Sequence, residues 1–231
     1  MIRPPILNAP AQPILGIDDH LPAVASQALT PTALRQRFAH PPLWQPEFPS
    51  DGGVFSNRTP AAASVLIPLV MHDEGVSVLM TRRTDHLRSH AGQISFPGGR
   101  AEPEDGGVEA TALRETDEEI GLKADHIEII GSLPVYSTVT SFQVTPVVAL
   151  VRPGFTLALD AFEVAEAFEV PLQFLMNPAH HQRRRFDFEG GTRQFLSMPW
   201  THPDVEGAPR EYFIWGATAA MLRNFYRFLA A

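Results

Sequence analysis

Residues 96–99 read FPGG and residues 113–122 read LRETDEEIGL, and these two segments decide the fold of the chain. They predict a strand end, a glycine turn, a short loop and then a helix. Since successive helical residues are about 100° apart, Glu115, Glu118 and Glu119 should share one face of that helix. The sequence therefore predicts three carboxylates beside a glycine turn.

Other residues of this helix predict where it packs and where it ends. The opposite face is expected to lie on a sheet through Ala110, Leu113 and Ile120. Gly121 stands where a glycine commonly ends a helix. Asp105 or Gly106 is the expected N-cap.

Three glutamates on one face make this helix costly unless something binds them. Like charges three or four residues apart cost roughly a few tenths of a kcal/mol per pair, and the helix dipole disfavours an anion in the last turn by about 0.3–1 kcal/mol. A divalent cation would reverse both penalties, and Mg²⁺ prefers carboxylate and carbonyl oxygens. A solvated acidic face is the alternative for three glutamates alone. The Gly-Gly turn and the Arg114-Glu115 pair favour a metal site.

These residues together resemble the Nudix box, the signature of Nudix hydrolases. The resemblance rests on Gly99, Arg114-Glu115, Glu118-Glu119 and Gly121-Leu122. The chain departs from the box in two places. Asp105 stands for the usual upstream glutamate, with one extra residue before Arg114, and Thr116 stands where a bulky aliphatic residue is preferred. Neither departure touches the Arg-Glu-x-x-Glu-Glu core.

The segment before the box resembles the second motif of the coenzyme A diphosphatase branch. It contains LMTRR at 79–83, Arg88, Gly92-Gln93 and FPGG at 96–99, with Met80 and Thr84 as mild variants. The resemblance implies an α+β, α-β-α sandwich of the Nudix fold, with a mixed β-sheet between the box helix and the terminal helix. It also implies hydrolysis of coenzyme A or acyl-coenzyme A to (acyl-)4′-phosphopantetheine and adenosine 3′,5′-bisphosphate.

The same resemblance implies roles for individual residues. Glu115, Glu118 and Glu119 would hold Mg²⁺ or Mn²⁺ with help from a carbonyl of Gly98 or Gly99, and Arg114 would fix the carboxylates and act with them in catalysis. The expected substrate-binding residues are Arg82, Arg88, Gln93, Gly98 and Gly99, and Arg83 and His90 lie in the same segment as further candidates for a basic site. One of the two arginines would read the 3′-phosphate of coenzyme A, although a surface charge with a carboxylate partner is an equal alternative for each.

Three other functions stay open at this point. One is the same chemistry on another nucleoside diphosphate derivative, such as NADH or ADP-ribose. A second is a Nudix-fold binding module without catalysis, against which the intact glutamates count. The third is removal of a nucleic-acid cap, which the acidic charge disfavours.

Composition limits the class of protein and its partners. The chain has 231 residues, a net charge of −8 and no cysteine, so cysteine nucleophiles, disulfides and cysteine-type zinc sites are excluded. The acidic charge argues against a nucleic-acid surface. No signal peptide or membrane span is evident, so a cytoplasmic enzyme with a small-molecule substrate is expected. A homodimer is left open.

The order of elements predicts an arm followed by one domain. Residues 1–60 are proline-rich and read as an arm with a short helix over 33–39, and residues 61–231 read as the Nudix domain. Strands are predicted over 63–70, 76–81, 93–96, 127–133, 144–151 and 212–216, with a hairpin over 186–199 and a terminal helix over 217–229.

Two segments after the box carry suggestive residues. Glu163 and Glu166 are candidates for a further metal-site or water-binding glutamate, since Nudix enzymes often take one from this region. The alternative for 163–175 is an amphipathic turn and helix. His180-His181, with the arginines that follow, is expected to be a solvated loop, because a histidine pair alone is weak support for a metal.

Overall fold

The computed structural model of the protein describes residues 6, 8–52, 59–87, 90–203 and 208–231. The α-helices among these residues are α1 Pro31–Ala39, α2 Val108–Ile120, α3 Leu172–Leu175 and α4 Gly216–Ala230. The strands there are β1 Ile14–Ile17, β2 Ala61–His72, β3 Gly75–Arg83, β4 Ile94–Ser95, β5 Gly98–Arg100, β6 Ile127–Ser132, β7 Tyr136–Ser137, β8 Phe142–Val151, β9 Val164–Pro171, β10 Gln182–Phe188, β11 Gly191–Pro203 and β12 Pro209–Trp215.

The larger of two sheets is mixed. Within the described residues it has eight strands in the order β4-β3-β2-β8-β6, with β5 paired to β2, β7 to β8 and β9 to β3. β2 and β8 run parallel from Ala61 opposite Phe142 to Val70 opposite Val151, and the other pairs run antiparallel. The smaller sheet is antiparallel in the order β1-β10-β11-β12. All the predicted strands are present, with their ends moved by a few residues.

Alternate residues of β2 pack against different helices, because successive side chains of a strand point to opposite faces. Leu66 lies in a buried cluster with Ala112 of α2. Ile67 and Leu69 lie in the main core with Phe225 of α4. The large sheet therefore lies between the box helix and the terminal helix, which confirms the predicted α-β-α arrangement.

Helix α2 is turned slightly from its predicted orientation. It buries Thr111, Ala112, Thr116 and Ile120, whereas Ala110 and Leu113 are partly exposed. The prediction that Ala110 and Leu113 form the packing face was wrong. The Thr116 hydroxyl donates to the Ala112 carbonyl at 2.6 Å, so a threonine is tolerated where an aliphatic residue was expected.

The ends of α2 agree with the prediction only in part. Gly121 follows the helix with φ 68°, in the left-handed conformation that favours glycine, as predicted. The expected N-cap was wrong, because Gly107 occupies that position without a side-chain hydrogen bond. Asp105 instead accepts a hydrogen bond from the Thr111 hydroxyl at 2.9 Å. Its carboxylate is thereby held beside the first turn and turned toward Arg114.

The N-terminal arm packs on the domain that follows it. β1 pairs with β10, and the side chains of Val24, Leu29 and Leu34 lie in the main core, where Leu34 is fully buried. The division into an arm, 1–60, and a domain, 61–231, stays a prediction about folding units. Among the described residues, no helix has both the length and the apolar character of a bilayer span.

The helical alternative for 163–175 and the solvated loop expected at His181 were both wrong. Residues 164–171 form β9, paired antiparallel with β3 from Ser77 to Arg83, and only Leu172–Leu175 is helical. His181 is not in a solvated loop, because its side chain is fully buried and its Nε2 lies 2.8 Å from the Leu175 carbonyl oxygen. Contacts with distant parts of the chain determine the structure of both segments, and the local sequence does not reveal those contacts.

A buried arginine joins the arm to the terminal helix. The side chain of Arg223 in α4 has no exposed surface, and its guanidinium donates to Glu47 at 2.8 Å and to His181 Nδ1 at 3.0 Å and lies 3.2 Å from Asp18. Burial alone would raise the pKa of Glu47, but hydrogen bonds from Arg223 and Arg183 outweigh it and lower that pKa to about 2. Glu47 is therefore ionised at neutral pH and compensates the charge of the buried guanidinium.

Replacing Arg223 should destabilise the protein strongly. Arg223→Met leaves Asp18 and Glu47 with less compensation in a buried site, so the free energy of unfolding should fall by about 3–5 kcal/mol. Arg35→Met is the matched control, because Arg35 pairs with Glu128 on the surface, where such a pair contributes about 0–1 kcal/mol. Urea unfolding of both variants measures this. Equal losses would show that the buried cluster contributes no more than a surface pair.

Candidate active site

The glycine turn lies directly against the face of α2 that carries the glutamates. The backbone N–H of Gly98 donates to Glu119 Oε2 at 3.2 Å. A β-carbon at Gly99 would clash with the Glu115 carboxylate, and one at Gly98 would clash with the backbone of Ser64 and Val65. Gly98, with φ 150° and backbone on both sides, therefore requires glycine, whereas a side chain at position 99 would displace the Glu115 carboxylate from the turn.

Arg114 connects the carboxylates to one another. Its Nε and Nη2 donate to the two carboxylate oxygens of Asp105 at 2.9 Å each, and Nη2 also donates to the Arg100 carbonyl at 3.1 Å. Its Nη1 donates to Glu115 and to Glu118, at 3.0 Å each. All five N–H groups of the guanidinium are thus used. Arg114 holds the pKa of Asp105 well below its usual range.

Two of the glutamates are destabilised as anions. Burial raises the pKa of Glu119 to about 7; the Gly98 N–H and Arg83 oppose this shift, and the charges of Glu163 and Glu115 add to it. Burial also raises the pKa of Glu115, against the effect of Arg114. The exposed Glu118 lies at the rim, with 61% of its side chain accessible. The site therefore holds negative charge that its own arginines compensate only in part.

A fourth glutamate, Glu163, joins this cluster from the loop before β9. The loop is fixed at both ends, because the Asp160 N–H donates to the Glu119 carbonyl and the Thr84 N–H donates to the Glu163 carbonyl, each at 2.9 Å. Arg83 Nη2 lies 3.3 Å from Glu163 Oε2, and Arg83 Nη1 lies 3.5 Å from Glu119 Oε1. Arg83 therefore bridges the loop glutamate and the buried helix glutamate.

Glu166, the other candidate for that role, lies elsewhere. Its Oε1 accepts a hydrogen bond from the Tyr212 hydroxyl at 2.7 Å, and its Oε2 lies 2.7 Å from Arg210 Nη2. Both partners belong to β12 of the smaller sheet. The structure thus brings Glu163, and not Glu166, to the carboxylates of α2.

The predicted substrate-binding residues are divided between two places. Gly98 and Gly99 lie with the carboxylates. Arg82 pairs with Asp85 at 2.9 Å and, with Gln93, lines a cavity of about 380 Å³ bounded by the arm and β12. Arg82 and Arg83 point to opposite faces of β3, as consecutive strand residues do. Arg88, the remaining predicted residue, lies outside the described part of the chain.

The oxygen-rich cluster has the donor chemistry that Mg²⁺ and Mn²⁺ prefer. Glu115, Glu118, Glu119 and Glu163 can supply carboxylates, and the turn can supply a carbonyl. In the described part of the chain, no three His, Asp or Glu side chains already converge on one point as ligands. Arg114 and Arg83 draw their oxygens into ion pairs instead. The donor chemistry of these residues, and the contact of Glu115 and Glu119 with the glycine turn, fit a divalent metal.

The sequence placed Arg83 in the basic segment before the box, but sequence reasoning did not connect it with the glutamates and assigned substrate binding to its neighbour Arg82. A signal was present in the alternation of β3. Val78 and Met80 pack in the main core with α4, whereas Leu79 packs with Ile120 of α2. Odd-numbered residues of this strand therefore face the box helix, which places Arg83 on the side of the glutamates.

Comparison with known proteins gives matches over most of the chain. The NUDIX domain model matches residues 58–189. A Yersinia enterocolitica protein named "Uncharacterized Nudix hydrolase NudL" is 38% identical over 181 residues, which are 78% of this chain and 87% of that protein. A protein of the same name from an Enterobacter species is 40% identical over 167 residues, 70% of this chain and 79% of that protein.

Solved structures similar to this chain share less sequence with it. A binary complex of the C. elegans Ap4A hydrolase has a TM-score of 0.42 and 18% identity, covering 52% of this chain and 85% of that one. The NUDIX domain of Shewanella oneidensis NrtR, complexed with ADP ribose, has a TM-score of 0.39 and 20% identity, covering 50% and 75%. The family model and the bacterial relatives therefore identify the family.

Replacing the buried glutamate should stabilise the metal-free protein. The folded-state pKa of Glu119 is raised from 4.5 to about 7. Burial of its charge therefore costs nothing below about pH 4.5, where both states are protonated; the cost grows between about pH 4.5 and 7 and is complete above about pH 7, where both states are ionised. In EDTA at about pH 8, Glu119→Gln should raise the free energy of unfolding by about 2–3 kcal/mol. Urea unfolding at several pH values measures this.

Glu118→Gln is the matched control, because Glu118 is exposed and should change stability by less than about 0.5 kcal/mol. If Glu119→Gln is no more stable than wild type at pH 8, or if its advantage does not shrink toward pH 4.5, then Glu119 is not the strained anion of the site.

Proposed function

Since this chain belongs to the Nudix family and is a Nudix hydrolase, we propose that its substrate is coenzyme A or an acyl-coenzyme A. Hydrolysis would break the diphosphate bond and yield 4′-phosphopantetheine, or its acyl form, and adenosine 3′,5′-bisphosphate. Water supplies the oxygen that binds one phosphorus, and the bridging oxygen leaves with the other phosphate. We also propose, as part of this function, that the enzyme is cytoplasmic.

One observation carries the proposal: both ends of the segment that resembles the coenzyme A motif reach the same carboxylate. Arg83, at the start of the motif, lies 3.5 Å from Glu119 Oε1, and Gly98, at its end, donates to Glu119 Oε2. The motif therefore borders the site where a diphosphate would be cleaved. This supports a role for the motif in holding the substrate, beyond its part in the fold.

We assign the metal to Glu115, Glu118 and Glu119, with a carbonyl of Gly98 or Gly99. A bound Mg²⁺ or Mn²⁺ would neutralise phosphate charge and lower the pKa of an attacking water. Glu119 is the least stable of these anions in the free protein, so it should gain most from a cation. Divalent metal use is general in the family; the choice between Mg²⁺ and Mn²⁺ is left to experiment.

The side chains around the metal position the reactants. Arg114 keeps Glu115 and Glu118 at a fixed separation through charge-assisted hydrogen bonds. Glu163 is partly exposed, at 42% of its side chain, and lies beside Glu119 across Arg83, so we assign it to orienting the attacking water. The glycine turn leaves room for a diphosphate, because neither Gly98 nor Gly99 has a side chain to block its approach.

We propose that Arg82 and Gln93 act on the nucleotide part of the substrate. Both line the cavity between the arm and β12, and so does Ile94, which precedes Gly98 by four residues. A chain of that length spans at most about 14 Å, so the backbone that lines the cavity leads directly to the turn. The Arg82 partner, Asp85, is 74% exposed, and such a surface pair is weak enough to be exchanged for a phosphate. We propose Arg88 as the second residue that binds the 3′-phosphate.

Substrate preference should reveal the 3′-phosphate contact. Loss of a hydrogen bond to a charged group costs about 1.5–3 kcal/mol, so kcat/KM for coenzyme A should exceed that for 3′-dephospho-coenzyme A by roughly 10- to 100-fold. Arg82→Ala or Arg88→Ala should shrink that ratio. The measurement is a panel of both substrates, NADH and ADP-ribose, with Mg²⁺ or Mn²⁺ and identification of products.

Arg35→Ala is the control for loss of a surface arginine and should leave the ratio unchanged. Equal kcat/KM for coenzyme A and its dephosphorylated form would show that the enzyme makes no productive contact with the 3′-phosphate. A clear preference for NADH or ADP-ribose would leave the hydrolase and contradict the coenzyme A assignment.

A further inference from the structure

Arg83 occupies a position that the metal also needs. Its guanidinium lies between Glu119 and Glu163, at 3.5 and 3.3 Å, and 24% of its side chain is exposed. Arg114, the other arginine of the site, differs in that Asp105 and the Arg100 carbonyl anchor it as well. Among the described residues, the Arg83 guanidinium forms ion pairs only with Glu119 and Glu163, and it has no comparable anchor. It is therefore the more easily released of the two cations.

The metal and the guanidinium compete for Glu119, because its Oε2 accepts from the Gly98 N–H and its Oε1 faces Arg83. A divalent ion that coordinates Glu119 takes lone pairs that now face Arg83, and two positive groups at that separation repel each other. Metal binding therefore requires the guanidinium to leave Glu119. Its backbone would stay in place, because the Arg83 N–H donates to the Gln93 carbonyl at 3.0 Å and the Thr84 N–H to the Glu163 carbonyl at 2.9 Å. Only the side chain has to turn.

We propose that Arg83 is a substrate-binding residue that competes with the divalent cation for Glu119 and Glu163, and that the cation releases it to bind the substrate diphosphate. This inference rests on the proposed function, because it takes the diphosphate to lie at the glycine turn. A guanidinium pairs well with two phosphate oxygens at once. Metal and diphosphate would then bind cooperatively, since the first supplies the second with a free arginine.

If Arg83 competes with the metal, its removal should change the metal affinity in the direction opposite to that expected for a merely structural role. Without Arg83 the cation no longer has to displace a guanidinium, so the metal should bind more tightly while the substrate binds more weakly. If Arg83 only kept the glutamates in order, its loss would weaken metal binding or leave it unchanged. The two roles thus predict opposite changes in one equilibrium constant.

The test is Mn²⁺ binding followed by electron paramagnetic resonance, without substrate, on wild type, Arg83→Gln and Arg82→Gln. Both variants lose one positive charge, from neighbouring positions on opposite faces of β3, so Arg82→Gln controls for net charge. At about pH 8.5, above the usual range of carboxyl pKa values, protons compete little. The Kd of Arg83→Gln should fall by roughly 3- to 30-fold, and that of Arg82→Gln should change by less than about 2-fold.

Steady-state kinetics, in which KM and kcat are determined separately, complete the test. For whichever diphosphate the substrate panel identifies, Arg83→Gln should raise KM by roughly 10-fold at saturating metal, and Arg83→Lys should recover part of that loss. An unchanged or higher Mn²⁺ Kd in Arg83→Gln overturns the proposal, and so does an unchanged KM. Failure to cleave coenzyme A while another diphosphate is cleaved removes the proposed substrate only. The Mn²⁺ measurement uses no substrate and still decides the competition.

Discussion

The site depends on one guanidinium. Arg114 donates all five of its N–H groups, to Asp105, to the Arg100 carbonyl and to Glu115 and Glu118. Without it, glutamates three and four residues apart in the last turns of a helix would repel one another and oppose the helix dipole. Asp105 holds the far side of Arg114, so the residue that replaces the usual glutamate still anchors the arginine. Within the box, Arg114 holds the carboxylates close together, so that they can bind a cation.

The carboxylates favour binding of a cation because the fold compensates their negative charge incompletely. Glu119 is buried between α2 and β5 with a pKa raised to about 7, and its partners are one backbone N–H and a partly exposed arginine. Strain of this kind is common where a ligand relieves it. Glycine at positions 98 and 99 brings the backbone against these oxygens, so a substrate and a cation would meet in the same small space. The stability given up at Glu119 is thus tied to binding, while the buried Arg223 cluster holds the arm and α4 together far from the site.

Much of this arrangement could be predicted from the sequence, and the failures have physical causes. Gly121 and the apolar runs of β2, β3 and β8 identify their elements because local pattern and final packing agree there. The period of α2 identifies the helix and its glutamate face, but not the whole of its packing face. Residues 164–171 could not be assigned, since their strand is decided by pairing with β3, some 85 residues earlier in register. Which of the adjacent arginines, Arg82 or Arg83, lies beside the glutamates was not predicted, since consecutive residues of a strand point to opposite faces. The burial of His181 and Arg223 depends on residues of the arm, more than 160 positions away, and no local signal reveals that contact.

Diffraction at the manganese absorption edge, from crystals grown with Mn²⁺, tests the central claim most directly, namely that the carboxylates of α2 form a divalent-cation site. The account predicts an anomalous peak within coordination distance of Glu119 and of Glu115 or Glu118, close to the Gly98 and Gly99 backbone, with the Arg83 guanidinium turned away from Glu119. A peak elsewhere in the molecule, or none at the cluster while Arg114 and Arg83 keep their present ion pairs, would contradict it.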